Sequence, residues 1–291
     1  MALPVSGSLS LSQLQTEFGG TAPTSLSEYY RGGSFVTANN TGVPASGELR
    51  MGHFYGGVRQ FAFTIASNYT TPQNLRALAV AAGWNQSDYL FVTNNAVFSS
   101  DTTTSPALTI AGSFPNGVAL VNNGYIVGMG GTGGVPIAAG NPGGAALSVS
   151  SPISITNNGT IAGGGGGGGA GVSWGWNGLE RSCSGSAGAS GLTQAPGTAN
   201  NYGFASSYPS QDSNADGLYD TGGPSYVWGY GGRVSSPGGK GGNWGQAGDA
   251  GGTVDGAYTQ TGYAGGAAGA AVTGNSNITW VATGTRLGGI S

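Results

Sequence analysis

The sequence predicts a mainly β and irregular protein in three parts. Short N-terminal docking helices occupy residues 1–57, and a small α+β domain occupies 58–105. Over 106–291, β-hairpins frame a core of packed glycine helices. Three observations carry this. Sixty-one of the 291 residues are glycine, crowded into the second half, with Gly163 to Gly169 unbroken. Asn-Gly pairs recur between alternating apolar residues, the strongest short-range hairpin signal. Hydroxyl residues followed three positions later by Gln or Glu punctuate the first 57 residues, as helix starts do.

In the first part, Ser10-Leu11-Ser12-Gln13 and Ser25-Leu26-Ser27-Glu28 both fit a capping box. The first opens a helix that buries Leu11, Leu14 and Phe18 and stops at Gly19-Gly20; the second runs through Tyr29-Tyr30 to Gly32-Gly33. A third, degenerate copy spans Gly47-Glu48-Leu49 to Phe54-Tyr55-Gly56-Gly57. Helices of two or three turns do not stand alone in water, so these must dock on something. An attachment module and an independent helical cap are both open readings.

From residue 58 the period changes. Phe61, Phe63 and Ile65 alternate like a strand. Thr71-Pro72 sets an N-cap and first position for a helix carrying Leu75, Leu78, Ala79 and Ala82, closed by Gly83. Tyr89 to Thr93 is the next strand, ended by Asn94-Asn95.

Then comes an internal repeat. Ala107–Ala111 and Val118–Asn122-Asn123-Gly124–Gly128 match Ala146–Ser150 and Ile153–Asn157-Asn158-Gly159–Gly163, each leading into a glycine-rich stretch. A worn third copy, Ala271-Val272 and Ile278 to Gly288, closes the sequence. These read as hairpin strand pairs of one framework. The tracts Gly128–Gly134, Gly163–Gly171, Gly229–Gly242, Gly245–Gly252 and Gly262–Gly269 lie between and after them. No Gly-X-Y period is sustained and proline numbers only 13, which excludes collagen. Glycine can adopt the three-residue polyproline-II helix, and several such segments side by side could satisfy one another's backbone groups. A flexible linker is the competing reading.

Between the tracts lie three aromatic segments: Val172–Leu179, residues 194–228 and Val254–Tyr263. Trp174, Trp176, Tyr202, Phe204, Tyr208, Tyr219, Tyr226 and Trp228 sit there among Ser, Asn and Gly. That mixture of rigid amphipathic anchors and adaptable hydrogen-bonding residues is what binding loops use. In the middle segment Asp212, Asn214, Asp216 and Asp220, with Gly217, follow the ligand spacing of a calcium loop, although position 12 is Gly223; a plain Asx-turn loop uses the same residues.

Composition narrows the function. Net charge is -3 and the eight Lys and Arg are scattered singly, which excludes a phosphate-tracking stripe and hence nucleic-acid binding. No apolar stretch is long enough to span a membrane, and MALPVSGSLS lacks the form of a signal peptide. Cys183 is alone. His53, the one histidine, has no triad or metal partner at a suggestive spacing and is expected to pack. A pair of carboxylates serving a polysaccharide depolymerase is the enzymatic alternative.

Asn157–Gly163 with its glycine run, the later tracts with variable segments between them, and Gly274-Asn-Ser-Asn-Ile-Thr-Trp280 together resemble the receptor-recognition adhesins of T-even-type bacteriophage long tail fibres. The resemblance covers roughly residues 105–291. It implies a sandwich of polyglycine-II helices whose intervening segments form distal loops that touch receptors. Residues 1–57 are instead similar to short Ser-Leu-Ser…Gly-Gly segments at the start of assorted phage tail and fibre proteins. The implied protein is a non-enzymatic virion adhesin of the tail or tail fibre. Its implied partners are a host outer-membrane protein or surface glycan and other tail or fibre proteins, with a homotrimer as one assembly. A purely architectural virion protein is the competing class.

Overall fold

A computed structural model of the chain describes residues 2–38, 40–134, 138–171, 173–174, 234–235, 238–253 and 261–291. The N-terminal module holds helix α1 (Leu11–Phe18) and two single 3-10 turns, Leu26–Tyr29 and Met51–Phe54. Both capping boxes form: the Ser10 amide donates to Gln13 Oε1 (2.7 Å) and the Ser25 amide to Glu28 Oε1 (3.1 Å). His53 does the same work in the degenerate copy, its Nδ1 accepting the Arg50 amide at 3.1 Å. Phe18, Tyr29 and Phe54 meet in a triangle with ring centroids 6.3 to 6.4 Å apart. Leu3, Leu14, Val36 and Val43 complete this small core. The turns therefore dock on one another, each too short to persist alone.

From Gln60 the chain winds through five coils, each contributing at most one strand to each of three sheets. The first contains β1 (Gln60–Ile65), β2 (Gln73–Asn74) and helix α2 (Leu75–Ala81). The second is β3 (Tyr89–Asn94), β4 (Val97–Ser99) and β5 (Leu108–Ile110). The third is β6 (Val118–Asn122), β7 (Tyr125–Val127) and β8 (Leu147–Val149). The fourth runs from β9 (Ile153–Asn157) and β10 (Thr160–Ala162) through a long excursion, carrying β11 (Ser173–Trp174) and β12 (Val234–Ser235), to β13 (Ala270–Thr273). The last is β14 (Ile278–Ala282), β15 (Thr285–Leu287) and β16 (Gly289–Ile290).

Equivalent strands stack into three sheets, ordered β1-β3-β6-β9-β14, β4-β7-β10-β15 and β16-β13-β8-β5-β2. Every pairing within them is parallel. The result is a three-sided β-solenoid around one apolar column. Val92, Leu120 and Ile155 line up from the first sheet; Phe98, Ile126 and Ile161 from the second; Leu108, Leu147 and Val272 from the third. At the last coil the column closes on Trp280 and on Arg286, whose guanidinium lies 4.8 Å from the Trp280 ring centroid.

The expected hairpins do not form. The strands on either side of each Asn-Gly belong to different sheets, and the Asn-Gly is a corner between them. The amides of Asn123 and Gly124 donate to Asn94 O in the coil below, and those of Asn158 and Gly159 to Asn122 O. Glycine is required there because successive corners stack tightly: a Cβ on Gly124 would lie 2.0 Å from Ala96 O, and one on Gly159 2.0 Å from Gly124 O. Three Asn side chains, Asn94, Asn122 and Asn157, form a fully buried ladder with 2.7 Å steps that ends on Thr283 O. The Asn94-Asn95 corner is thus a further copy of the repeat, with Ala96 in the glycine position where the second sheet begins.

The strand, helix and strand expected over 58–105 are present, with β1 and β3 parallel. The helix begins later than expected, because Asn74, not Thr71, caps it by accepting the Ala77 amide at 3.1 Å. β3 is hydrogen-bonded to β6, and one apolar cluster runs from Ile65 to Val272 across residue 105.

Candidate functional site

Between β7 and β8, and again between β10 and β13, the chain leaves the solenoid on glycine-rich excursions. Their described parts are hydrogen-bonded to one another at every third residue. Gly128, Gly131 and Gly134 donate to Ala162, Gly165 and Gly168 (2.8–2.9 Å). Gly164, Gly167 and Ala170 donate to Gly144, Asn141 and Ala138; Gly239, Gly242 and Gly245 donate to Gly169, Gly166 and Gly163. Gly266 and Gly269 donate to Gly167 and Gly164, while Gly166 and Gly169 donate to Gln246 and Asp249. The run 163–170 is therefore a hub with five segments around it: 128–134, 138–144, 239–245, 246–249 and 263–269. A Cβ on any of Gly163 to Gly169 would come within 1.9–2.0 Å of a carbonyl oxygen of a neighbouring segment. Side chains are absent because backbones occupy their space.

The hub also has polarity. At its solenoid end Gly163 bonds Leu287 and Gly245, and Gly164 bonds Gly144 and Gly269. At its far end Ala170 bonds Ala138 and accepts from Tyr263, beside Gly239, Asp249 and Gly251. The described residues that flank 135–137, 172–237 and 254–260 thus all lie at that one far end. The base of the longest excursion is closed by the antiparallel pair of β11 with β12, in which Trp174 opposes Val234. Trp174 is the one expected recognition residue with a described backbone. Trp176, Tyr202, Phe204, Tyr208, Tyr219, Tyr226 and Trp228 lie outside the described residues, as do Asp212, Asn214, Asp216 and Asp220 of the calcium-type loop. Among the described residues no group of His, Cys, Asp or Glu could hold a metal.

One aromatic that the sequence pattern did not single out fastens the glycine tracts to the solenoid. Trp244, at the solenoid-end turn between two tracts, is buried against Val127 and Ala162 on the outer side of the second sheet. Its ring lies 6.1 Å from that of Tyr125. The signal was available, since a large residue interrupting a glycine tract needs a surface to cover. Taken together, the described residues present a neutral backbone lattice anchored to the solenoid at one end.

A family model described as the phage tail fibre adhesin Gp38 matches residues 60–291. That match begins upstream of residue 105, where the resemblance drawn from the glycine tracts starts, and it takes in the first coils of the solenoid. No curated protein sequence matches. Among solved structures, a chain of the gp37–gp38 adhesin tip complex of the bacteriophage S16 long tail fibre is similar with a TM-score of 0.55 at 21% identity, covering 99% of this chain and 100% of that one. At that identity the likeness is one of fold, and it extends over the N-terminal module. With the family model matching well over half of its length, the chain belongs to the Gp38 family of phage tail fibre adhesins and is a virion component of the tail fibre.

Proposed function

We propose that this adhesin recognises a host outer-membrane protein or surface glycan through the segments 172–237 and 254–260, held by a sandwich of polyglycine-II helices. One observation carries the reading: both segments begin and end at the same end of the glycine hub, opposite the solenoid. Loops bind well when a rigid scaffold holds them, and the period-three hydrogen bonding is what neighbouring three-residue helices produce. Trp174, Trp176 and the aromatics between Tyr202 and Trp228 serve as anchors, and no chemical step is assigned to them. The N-terminal module, residues 1–57, attaches the chain to another fibre protein; the complex named for the similar structure pairs a gp38 with a gp37.

The test is a Tyr208→Ala, Tyr219→Ala, Trp228→Ala variant. Losing one true anchor typically costs ~2 kcal/mol or more, about thirtyfold in affinity. The variant is expected to keep its melting temperature and lose adsorption to host cells. Retained adsorption would assign recognition elsewhere, and loss of folding would make these aromatics core.

A further inference from the structure

We propose that residues 57–59 are a rigid joint that fixes the angle between the N-terminal module and the solenoid, with Asn40 and Glu17 as its positioning residues. Connections between modules are ordinarily solvated and hinge-like. Here all six backbone polar groups of the connection are taken up within the protein. The Gly57 amide donates to Phe54 O (2.9 Å), and Gly57 O accepts from the Leu3 amide (2.9 Å). The Asn40 side chain grips Val58 from both sides, its Oδ1 accepting the Val58 amide (2.9 Å) and its Nδ2 donating to Val58 O (3.0 Å). Glu17 Oε1 accepts the Arg59 amide (2.8 Å), and Arg59 O accepts from Tyr89 in β3 (2.9 Å).

Asn40 and Glu17 are 7% and 4% exposed, so water does not substitute for these contacts. Gly57 is seated against the module: a Cβ there would lie 2.9 Å from the Phe18 ring and 3.0 Å from Phe54 O. On the other side the Arg59 guanidinium reaches the buried Asp88 carboxylate of the solenoid at 3.2 Å. Any change of φ or ψ at 57–59 breaks several of these contacts together. The joint holds one angle, and the family boundary at residue 60 falls on it. Its bearing on adhesion, a fixed presentation of loops relative to the fibre, rests on attachment through 1–57. The joint itself does not, and the test reads only the joint in the free chain.

The experiment places spin labels at Thr21→Cys and Thr279→Cys in the full chain with Cys183→Ser. A single narrow distance distribution is expected. Glu17→Ala with Asn40→Ala is expected to broaden it while the melting of the solenoid holds, and Glu17→Gln, which keeps an acceptor, to leave it narrow. A broad distribution in the unsubstituted background overturns the proposal, and so does an unchanged narrow one in a folded double-alanine variant. Hydrogen exchange in the unsubstituted chain decides independently of any variant. Val58 and Arg59 amides are expected to exchange as slowly as those of β3, and free exchange at either overturns the joint.

Discussion

Asn122 shows how much one side chain carries in the solenoid. Its carbonyl accepts from Asn94 and its amide donates to Asn157, all three residues being fully buried. Asn122→Ala strands two buried polar groups at about 1–3 kcal/mol each, so a loss of about 2–6 kcal/mol is expected in urea unfolding. Asn123 belongs to an exposed ladder beside it, bonded to Asn95 and Asn158; Asn123→Ala returns those groups to water and is expected to change stability by under about 0.5 kcal/mol. Tyr29 gives a pH signature. Burial, then the Glu28 carboxylate, raise its phenol above the ordinary value, with Thr24 pulling slightly back, and its hydroxyl donates to Gly19 O at 2.8 Å. A raised acid keeps its proton when folded. The contribution is therefore intact below about pH 10 and lost as pH rises through the folded value. Melting of the module is expected to fall in that alkaline window, and Tyr29→Phe to remove this part of the fall. At this scale the sequence marked Asn122-Asn123-Gly124 as special but not how, because a hairpin turn and a solenoid corner need the same residues.

Among elements, the glycine tracts behave as members of a lattice. A Cβ on Gly166 would sit 1.9 Å from Gly266 O, so Gly166→Ala must part the segments and break the bonds they exchange. A loss of about 2–4 kcal/mol is expected by thermal melting. Gly289 has nothing within 4 Å of its would-be Cβ, and Gly289→Ala is expected to melt as the parent does. If the two variants melted alike, close backbone packing would not be what holds the tracts. The starts of α1 and of the Leu26–Tyr29 turn were legible because capping boxes are local chemistry. The start of α2 was not: Thr71-Pro72 is a sound helix signal, yet residues 73–74 are taken by pairing with β5, and that partner lies far along the chain. Strand segments were legible from alternation, whereas parallel stacking depends on register between distant coils.

For the whole molecule, module and solenoid have separate apolar cores. Residues 60–291 expressed alone are expected to melt close to the solenoid of the full chain and to bind host cells as free protein, yet to be missing from assembled fibres. Incorporation of the truncated chain into particles would refute attachment through the module. Composition made the backbone packing of the glycine tracts legible, since a chain so poor in charge and so rich in glycine has few other ways to fold. The Ile65-to-Val272 column was read in pieces because its Asn94 coil has Ala96 where the later coils have glycine.

The glycine hub has a thermal consequence. Heat capacity on unfolding rises with the apolar surface exposed and falls with the polar surface exposed. A lattice of backbone amides exposes mostly the latter, while the solenoid exposes aliphatic columns. The stability of the hub should vary little between cold and warm water, whereas that of the solenoid curves. Calorimetry on the full chain is expected to give a heat-capacity increment per residue below the ~12–15 cal/mol/K typical of globular domains. A phage meeting its host in cold water would then carry an adhesin hub that chilling barely weakens.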